Sequence, residues 1–346
     1  MDIVQQTPLI QLKGHQGPVI TLKHGKKTFL GDKILASGSE DNTCRLWDLS
    51  SNKVIKAIRG LNEPVTAISF ASKADLPLLY LSSGTKVFTY DLRMEASILT
   101  EPKQTYEFSQ DEINSIDVNE NNKFLATGDD QGVVNIIDLN NHKIYKKTAK
   151  KHNSICMAVR FRHKKPWEVW SGGMDSKLYQ WDFSRGLPTN ILDMNAKEPS
   201  AAQMFNPPFV YSLSTSSDGK WIGASLGDGT IQLLSPQGKK RSKNAVPEEV
   251  RLCNGHNSMI NCLSFIDTEN NAASDLITGS ANGRMALWDL THIDSSTADP
   301  KAIYQLDNSI TRLNWLESFD LNGAHYVAAA GVCKTAGALN IYPLSL

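Results

Sequence analysis

Residues 14–48 read GHQGPVITLKHGKKTFLGDKILASGSEDNTCRLWD, a stretch that opens on Gly14-His15 and closes on Trp47-Asp48. A similar opening and the same closing dipeptide return at Lys151-His152 to Trp181-Asp182 and at Gly255-His256 to Trp288-Asp289. Repeats of about 40 to 45 residues that carry these opening and closing dipeptides are typical of β-propeller blades. An architecture built from such repeats favours a docking surface over a reaction centre.

The closing motif belongs to a short run of β-forming residues that recurs seven times. Three copies end in Trp-Asp and four are weaker, which predicts seven blades; the runs are 44–48, 87–91, 134–138, 178–182, 231–235, 285–289 and 339–343. Upstream strands such as Ile34 to Gly38 and Val65 to Phe70 alternate apolar with small or polar residues. The spacing of strands and turns predicts an all-β chain without helices.

In these motifs the chain resembles WD-repeat proteins over nearly all of its length. The resemblance implies a seven-bladed β-propeller of four-stranded sheets, with residues 1–346 forming one domain. The expected blades are 13–56, 57–104, 105–148, 149–196, 197–248, 249–302, and 303–346 together with 3–12. The strand Pro8 to Leu12 precedes the first Gly-His. We therefore expect it to become the outermost strand of the last blade, because such pairing closes the ring.

The resemblance also implies a hydrogen-bonded tetrad in each strong blade, in which a histidine, a hydroxyl, an aspartate and a tryptophan indole meet. The matching residues are His15, Ser37, Asp41 and Trp47 in blade 1, His152, Ser171, Asp175 and Trp181 in blade 4, and His256, Thr278 and Trp288 in blade 6, where Asn282 replaces the aspartate. A buried indole N–H and a buried imidazole both need partners. Because the residues recur at the same blade positions, we interpret them as structural bracing rather than as a hydrolase triad.

Composition excludes several function classes. Lys plus Arg equals Asp plus Glu at 36 each, so no global field favours nucleic acid or anionic lipid. The five cysteines are scattered and form no C-x-x-C pair, which indicates neither a disulfide framework nor a zinc site. No apolar run is long enough to cross a bilayer. We expect a soluble monomer without cofactor in the cytoplasm, the nucleus or both.

No enzyme motif is present, so we predict a non-enzymatic protein. The sequence contains no phosphate-binding glycine loop that leads into a helix, no H-E-x-x-H and no nucleophile elbow. The glycine runs at 171–173 and 227–229 are predicted to lie in hairpin turns, where glycine supplies a positive φ.

The most specific functional hint is Tyr90-Asp91-Leu92-Arg93 at the end of the second closing strand. It is the only closing strand that continues as aromatic-Asp-x-Arg, with Tyr in place of Trp. In WD-repeat proteins that act as substrate receptors of cullin-4 ubiquitin ligases, the matching arginine contacts the damaged-DNA-binding protein 1 adaptor. The resemblance therefore implies that Tyr90, Asp91 and Arg93 bind that adaptor, on the disc face opposite the tetrad histidines.

Four short segments resemble one group within the family, whose members are regarded as candidate adaptor-binding receptors; they are 112–116, 153–156, 205–207 and 341–344. Two interpretations of function follow. In the first, the Arg93 face binds the ligase adaptor and the opposite face receives a client. In the second, the protein is a general scaffold subunit of a stable nuclear or cytoplasmic complex, and Arg93 forms a surface ion pair.

Local charge and aromatic content define further candidate surfaces. An acidic rim is expected on the tetrad face, either for a basic partner segment or as solvated turns; it comprises Glu63, Asp111, Glu112, Asp129 and Asp130. Blade 4 and the chain before it are basic, with Lys146, Lys147, Lys150, Lys151, Arg160, Arg162, Lys164 and Lys165.

The basic cluster 239–243 has three possible roles: a localisation signal, a phosphate contact or a solvated loop. An insertion is expected at 188–208, and the sequence leaves open which of Trp167, Trp221 and Trp315 are exposed.

Overall fold

Short runs of β-branched and aromatic residues separated by polar turns fold here as antiparallel meanders. The computed structural model describes residues 2–26, 28–73, 75–195, 206–235, 248–267, 273–291, 293 and 299–345. Those residues form thirty strands in seven sheets, and no helix occurs among them. The sheets are the blades of a β-propeller, which confirms the predicted fold class.

The strands of the first half follow the repeats closely. The N-terminal segment forms β1 (Ile3–Gln6) and β2 (Ile10–Gln11). Blade 1 contains β3 (Val19–Gly25), β4 (Ile34–Ser39), β5 (Cys44–Asp48) and β6 (Lys53–Ile58). Blade 2 contains β7 (Val65–Phe70), β8 (Leu78–Ser83), β9 (Lys86–Asp91) and β11 (Gln104–Tyr106), while β10 (Ile98–Leu99) pairs with β6. Blade 3 contains β12 (Ile113–Val118), β13 (Phe124–Asp129), β14 (Val134–Asp138) and β15 (Lys143–Ile144).

The second half repeats the same order. Blade 4 contains β16 (Cys156–Phe161), β17 (Glu168–Gly173), β18 (Lys177–Asp182) and β19 (Leu187–Asp193). Blade 5 contains β20 (Val210–Thr215), β21 (Ile222–Leu226), β22 (Ile231–Ser235) and β23 (Glu248–Leu252). Blade 6 contains β24 (Ile260–Asp267), β25 (Ala273–Ser280), β26 (Arg284–Asp289) and β27 (Ala302–Leu306). Blade 7 contains β28 (Arg312–Leu321), β29 (Ala324–Cys333), β30 (Ala336–Pro343) and β2.

The ring is closed as the sequence predicted. Strand β2 pairs antiparallel with β30, with Ile10 opposite Ile341. The pairing is extended by the N–H of Leu9, which donates to Ile341 O at 2.9 Å, and by the N–H of Leu12, which donates to Leu339 O at 2.8 Å. The Leu12 side chain is buried. One sheet is therefore built from both ends of the sequence.

Three details of the expected domain layout differ from the structure. Strand β1 pairs in parallel with β27 and belongs to blade 6, not to blade 7. The outer strands β11, β23 and β27 end at 106, 252 and 306, beyond the expected boundaries at 104, 248 and 302. The first part of the expected insertion is regular instead, because 187–193 forms β19, the outer strand of blade 4. The Trp-Asp motifs mark the third strand of a blade, and the loop to the fourth strand varies in length.

Every inner strand carries a β-bulge at one position near its start. The register shifts there in all seven blades, at Ile20, Thr66, Asn114, Met157, Tyr211, Asn261 and Asn314. A bulge leaves its residue unpaired and redirects the side chain. The four polar bulge side chains donate to a carbonyl oxygen on the next blade: Thr66 to Ile113, Asn114 to Cys156, Asn261 to Leu313, and Asn314 to Val19. The last of these bonds, at 3.0 Å, joins blade 7 to blade 1.

Glycine in the second strand lets neighbouring blades approach closely, which corrects the prediction that 171–173 is a hairpin turn. Gly172 lies inside β17, and a Cβ atom there would be 2.2 Å from Cγ1 of Val210 in blade 5. Gly38, Gly128 and Gly279 meet the next blade in the same way. Gly229 does lie in a turn, with φ at +82°.

Candidate functional site

The blade 1 tetrad residues lie together in one chain of hydrogen bonds. The indole N–H of Trp47 donates to Ser37 Oγ at 2.8 Å, and Ser37 Oγ lies 2.8 Å from His15 Nε2. On the other side of the ring, His15 Nδ1 lies 3.0 Å from Asp41 Oδ2. Because the serine oxygen accepts from the indole, its own hydrogen is free for Nε2, and the ring then donates from Nδ1.

Blade 4 has the same arrangement of hydrogen bonds, at nearly the same distances. His152 Nε2 and the Trp181 indole N–H each lie 2.8 Å from Ser171 Oγ, and His152 Nδ1 lies 2.9 Å from Asp175 Oδ1. Burial opposes ionisation of Asp175, but the hydrogen bond and charge of His152, together with the backbone N–H groups of Asn153 and Lys177, outweigh burial and lower the pKa of that carboxyl. The network therefore holds a carboxylate next to an imidazole inside the blade.

Blade 6 replaces the carboxylate by an indirect contact. The Trp288 indole N–H donates to Thr278 Oγ1 at 2.9 Å, and that oxygen lies 2.7 Å from His256 Nε2. His256 Nδ1 meets Ser280 Oγ at 3.0 Å, and the Ser280 hydroxyl in turn donates to Asn282 Oδ1 at 2.8 Å. Burial without a carboxylate partner, together with the nearby Arg284 charge, lowers the pKa of His256 to about 3.

These networks brace the blades. His152, Ser171 and Trp181 are all buried, so the hydroxyl that a hydrolase would use as nucleophile is closed to solvent. Each serine or threonine oxygen is already shared between an indole and an imidazole. A fully satisfied buried polar network specifies a unique packing.

The aspartate of the closing motif forms a turn that the sequence analysis did not anticipate. In blades 1, 3, 4 and 6 the carboxylate accepts the backbone N–H two residues later, from Ser50, Asn140, Ser184 and Thr291. Asx turns of this kind fix the chain as it leaves a strand. The signal in the sequence is an Asp followed by x-Ser, x-Thr or x-Asn.

Blade 2 uses the same turn but adds a cation to it. The N–H of Arg93 donates to Asp91 Oδ1 at 3.1 Å, and the guanidinium donates from Nε to Oδ1 at 3.0 Å and from Nη2 to Oδ2 at 2.6 Å. Lys103 Nζ lies 3.7 Å from the same carboxylate. The Arg93 hydrogen bonds lower the pKa of Asp91 to about 2. The guanidinium is thus held in a two-point contact with the carboxylate at the surface.

Tyr90 lies elsewhere than its neighbours. Its side chain is buried in the hydrophobic cluster shared by blades 1 and 2, and desolvation raises its pKa to about 12. It occupies the position of Trp47, because Tyr90 pairs with Leu79 in blade 2 as Trp47 pairs with Leu35 in blade 1. Of the three residues expected to contact an adaptor, Asp91 and Arg93 reach the surface, and Tyr90 supports them from inside.

Four of the five predicted acidic-rim residues lie near one another in the structure, and Asp129 is the exception. Burial raises the pKa of Glu112, and the negative charges of Asp130, Glu63 and Asp111 raise it further. Asp130 Oδ1 accepts from Asn114 Nδ2 at 2.7 Å. Asp129 is buried instead and accepts the N–H of Val133 at 2.9 Å within its own turn. The rim therefore has four carboxylates near blades 2 and 3, not five.

A model for the family described as WD domain, G-beta repeat matches residues 6–48, 100–138 and 247–289. The propeller therefore contains WD40 repeats. Propellers of this family generally act as non-enzymatic protein-interaction scaffolds, and no catalytic family is indicated. The matched segments contain the complete tetrad of blade 1, the closing strand of blade 3 and the variant tetrad of blade 6.

Full-length similarity refines this placement of the WD-repeat propeller. The WD repeat-containing protein 53 homolog of Dictyostelium discoideum is 29% identical over 328 residues, which cover 89% of this chain and 85% of that protein. WD repeat-containing protein 36 of Homo sapiens is 26% identical over 216 residues, or 62% of this chain and 22% of that protein. The group that the four short segments resemble is that of WD repeat-containing protein 53, so the predicted likeness is confirmed.

The other residues singled out in the sequence differ in how far they are exposed to solvent. Trp167 is 44% exposed, whereas Trp221 and Trp315 are half-buried. The basic cluster 239–243 lies outside the described residues, as does Phe205. Cys44, Cys156 and Cys262 are buried free thiols, and burial raises their pKa values.

Two features are not found among the described residues. No group of three or more His, Cys, Asp or Glu side chains there is arranged to hold a metal ion. A helix with the length and apolar character needed to span a membrane is likewise not found in those residues.

Proposed function

We propose that this WD-repeat propeller is a substrate receptor of a cullin-4 ubiquitin ligase, held by the damaged-DNA-binding protein 1 adaptor through the face that carries Arg93. One observation carries the proposal: the Arg93 guanidinium makes a two-point contact with Asp91, yet the Arg93 side chain is still 59% exposed. The proposal places the protein in the cytoplasm or the nucleus, as a monomer that binds other proteins.

The pairing with Asp91 prepares Arg93 for a partner. The contact uses Nε and Nη2, and among the described residues Nη1 makes no hydrogen bond. A side chain already held in one geometry loses less conformational entropy on binding than a free one. Because the Arg93 hydrogen bonds lower the pKa of Asp91 to about 2, the carboxylate that pairs with the guanidinium is ionised at physiological pH.

Two exposed apolar residues follow this cation in the sequence. Met94 and Ile98 are exposed, and they follow Arg93 in the chain. The backbone between them is anchored by Lys56, whose Nζ donates to Met94 O at 2.5 Å and to Ala96 O at 3.2 Å. Arginine is among the residue types enriched at interface hot spots, and the neighbouring contacts of a hot spot serve mainly to exclude water.

The second candidate function is a scaffold subunit of a stable complex that does not use Arg93. It is favoured by the observation that two of the three guanidinium nitrogens are already satisfied inside the chain. In that case the Asp91 contact is a surface ion pair, which contributes little to stability.

The test compares Arg93→Ala with Arg185→Ala. Arg185 is the matched control because it is exposed and pairs with the closing aspartate of blade 4, with Nε 3.3 Å from Asp182 Oδ2. Adaptor binding is measured with purified components and by pull-down. We expect Arg93→Ala to weaken binding by about tenfold or more and Arg185→Ala to leave it unchanged. Failure of the wild type to bind the adaptor, or equal loss in both variants, would favour the scaffold.

A further inference from the structure

An exposed aromatic pair stands among lysines where blades 3 and 4 meet. We define the aromatic-basic patch as Tyr145 and Trp167 together with Lys146, Lys147, Lys164 and Lys165. Trp167 is 44% and Tyr145 38% exposed. The Phe183 N–H donates to Trp167 O at 3.1 Å. Phe183 directly follows the closing strand of blade 4, so the patch lies on the same face of the disc as the strand exit that carries Arg93.

The two exposed rings rest on a buried aromatic layer. Their centroids are 6.0 Å apart, with the rings tilted by 31°. Tyr145 meets Phe124 edge-on at 4.9 Å, and Trp167 lies 5.3 Å from Phe183. Both phenylalanines are buried. Aromatic contacts of this geometry add to the stability given by burial alone, so each exposed ring has a defined position.

The turn that presents Trp167 is anchored to the blades on either side. Arg162 donates from Nε and Nη2 to Gly219 O in blade 5 at 2.9 and 2.7 Å, and from Nη1 to Glu168 at 3.2 Å. On the opposite side, Glu120 of blade 3 accepts the N–H of Lys164 at 3.1 Å. A surface held in this way loses little entropy when it binds.

The lysines of the patch carry positive charge that the described residues do not neutralise. All four are exposed, and none of them lies within ion-pair distance of a carboxylate in the described part of the chain. Lys146 Nζ donates to Ser184 O at 3.1 Å. The nearby carboxylates have other partners: Glu120 meets His163, Glu168 meets Arg162, and Asp182 meets Arg185. Unpaired charge around a hydrophobic centre favours a partner of opposite charge.

We propose that the aromatic-basic patch binds an acidic segment of a partner protein. An apolar side chain of that segment packs on Trp167 and Tyr145, and its carboxylates pair with the lysines. A peptide fits better than single-stranded nucleic acid, because the Tyr145 and Trp167 rings are tilted by 31° to each other and do not form a parallel pair between which a base could insert. The proposal does not depend on adaptor binding by Arg93.

The probe is a fluorescein-labelled peptide of alternating aspartate and glutamate with one central tryptophan. Its binding to the protein is measured by fluorescence anisotropy. Two comparison probes are the same peptide with lysine in place of every acid, and oligothymidylate. We expect the acidic peptide to bind, the lysine peptide not to bind, and added salt to weaken the complex. Tighter binding of oligothymidylate than of the acidic peptide would overturn the proposal in favour of nucleic acid.

Two variants of the patch are paired with controls on the opposite face. Trp167→Ala is compared with Phe108→Ala, another exposed aromatic, and the double variant Lys164→Glu/Lys165→Glu with Lys150→Glu/Lys151→Glu. We expect each patch variant to weaken peptide binding by about tenfold and each control to leave it unchanged. The double variant changes only exposed side chains, so it reports binding even where Trp167→Ala lowers stability. Absence of binding by the wild type, or equal effects in patch and control variants, would overturn the proposal.

Discussion

Val210, the first residue of the inner strand of blade 5, packs directly on Gly172 of blade 4, so that a Cβ atom at 172 would be 2.2 Å from Val210 Cγ1. We therefore expect Gly172→Ala to destabilise the protein by about 1 to 3 kcal/mol through overpacking of the blade junction. The measurement is the urea midpoint. Adding Val210→Ala should recover part of the lost stability. A Gly172→Ala protein as stable as the wild type would contradict the prediction, because it would show that the blade junction shifts to accommodate the added methyl group.

The shared hydroxyl of blade 4 should matter more than a buried hydroxyl without a partner. Ser171→Ala leaves both the Trp181 indole N–H and His152 Nε2 without their bond, at a cost of about 1 to 3 kcal/mol for each buried group. Ser225 provides the control, because it is buried in blade 5 and its hydroxyl has no hydrogen-bond partner among the described residues. We expect Ser225→Ala to be neutral or slightly stabilising in the same denaturation experiment. Equal losses in both variants would contradict the bracing role.

Acidification should destabilise the protein in part through His256. Its pKa is lowered from 6.5 to about 3 in the folded state, so the unfolded chain takes up the proton first as the pH falls. The free energy of unfolding therefore falls below pH 6.5 by up to about 1.4 kcal/mol per pH unit from this group, until the pH reaches the folded pKa. We expect His256→Asn to be less stable than the wild type at neutral pH and to lose less stability between about pH 6 and pH 4. Parallel pH curves for the two proteins would exclude this assignment.

Two deletions separate the contributions of the N-terminal strands. Removing residues 2–7 takes away only the parallel pairing of β1 with β27, and we expect a loss of about 1 kcal/mol. Removing residues 2–12 also takes away the pairing of β2 with β30 and the buried side chain of Leu12, so a loss of about 3 kcal/mol or more is expected. Thermal melting measures both. A longer deletion that melts like the shorter one would mean that the ring does not depend on β2.

The sequence predicted blade number, ring closure and the partners of His15 and His152 because the motifs that mark each blade also supply the interacting side chains. It did not predict the bulges, since residues as different as Ile20, Asn114 and Tyr211 occupy the same backbone position. Gly172 was assigned to a turn because the neighbour that requires a glycine there, Val210, is distant in the chain. The packing of blade on blade is what a single repeat cannot reveal.

The candidate surfaces show the same limit. The acidic rim could be grouped from the sequence, yet Asp129 turns inward to satisfy its own turn. Tyr90 shares a motif with Arg93 but is buried, because Tyr90 lies inside strand β9, which ends at Asp91, whereas Arg93 lies in the turn after the strand. The exposure of Trp167 depends on Phe124, Tyr145 and Phe183, which come from three different strands or turns.

The parallel pairing of β1 has a mechanical consequence. A pulling force applied to the N-terminus in an optical trap acts first on the four paired residues between β1 and β27, and reaches the two-residue pairing that closes the ring only after β1 has detached. The pairing of β1 with β27 therefore bears the applied force before the pairing of β2 with β30, which closes the ring, is loaded. An extension trace should show a small, early rupture that leaves the disc intact, followed by a larger one as the circle opens.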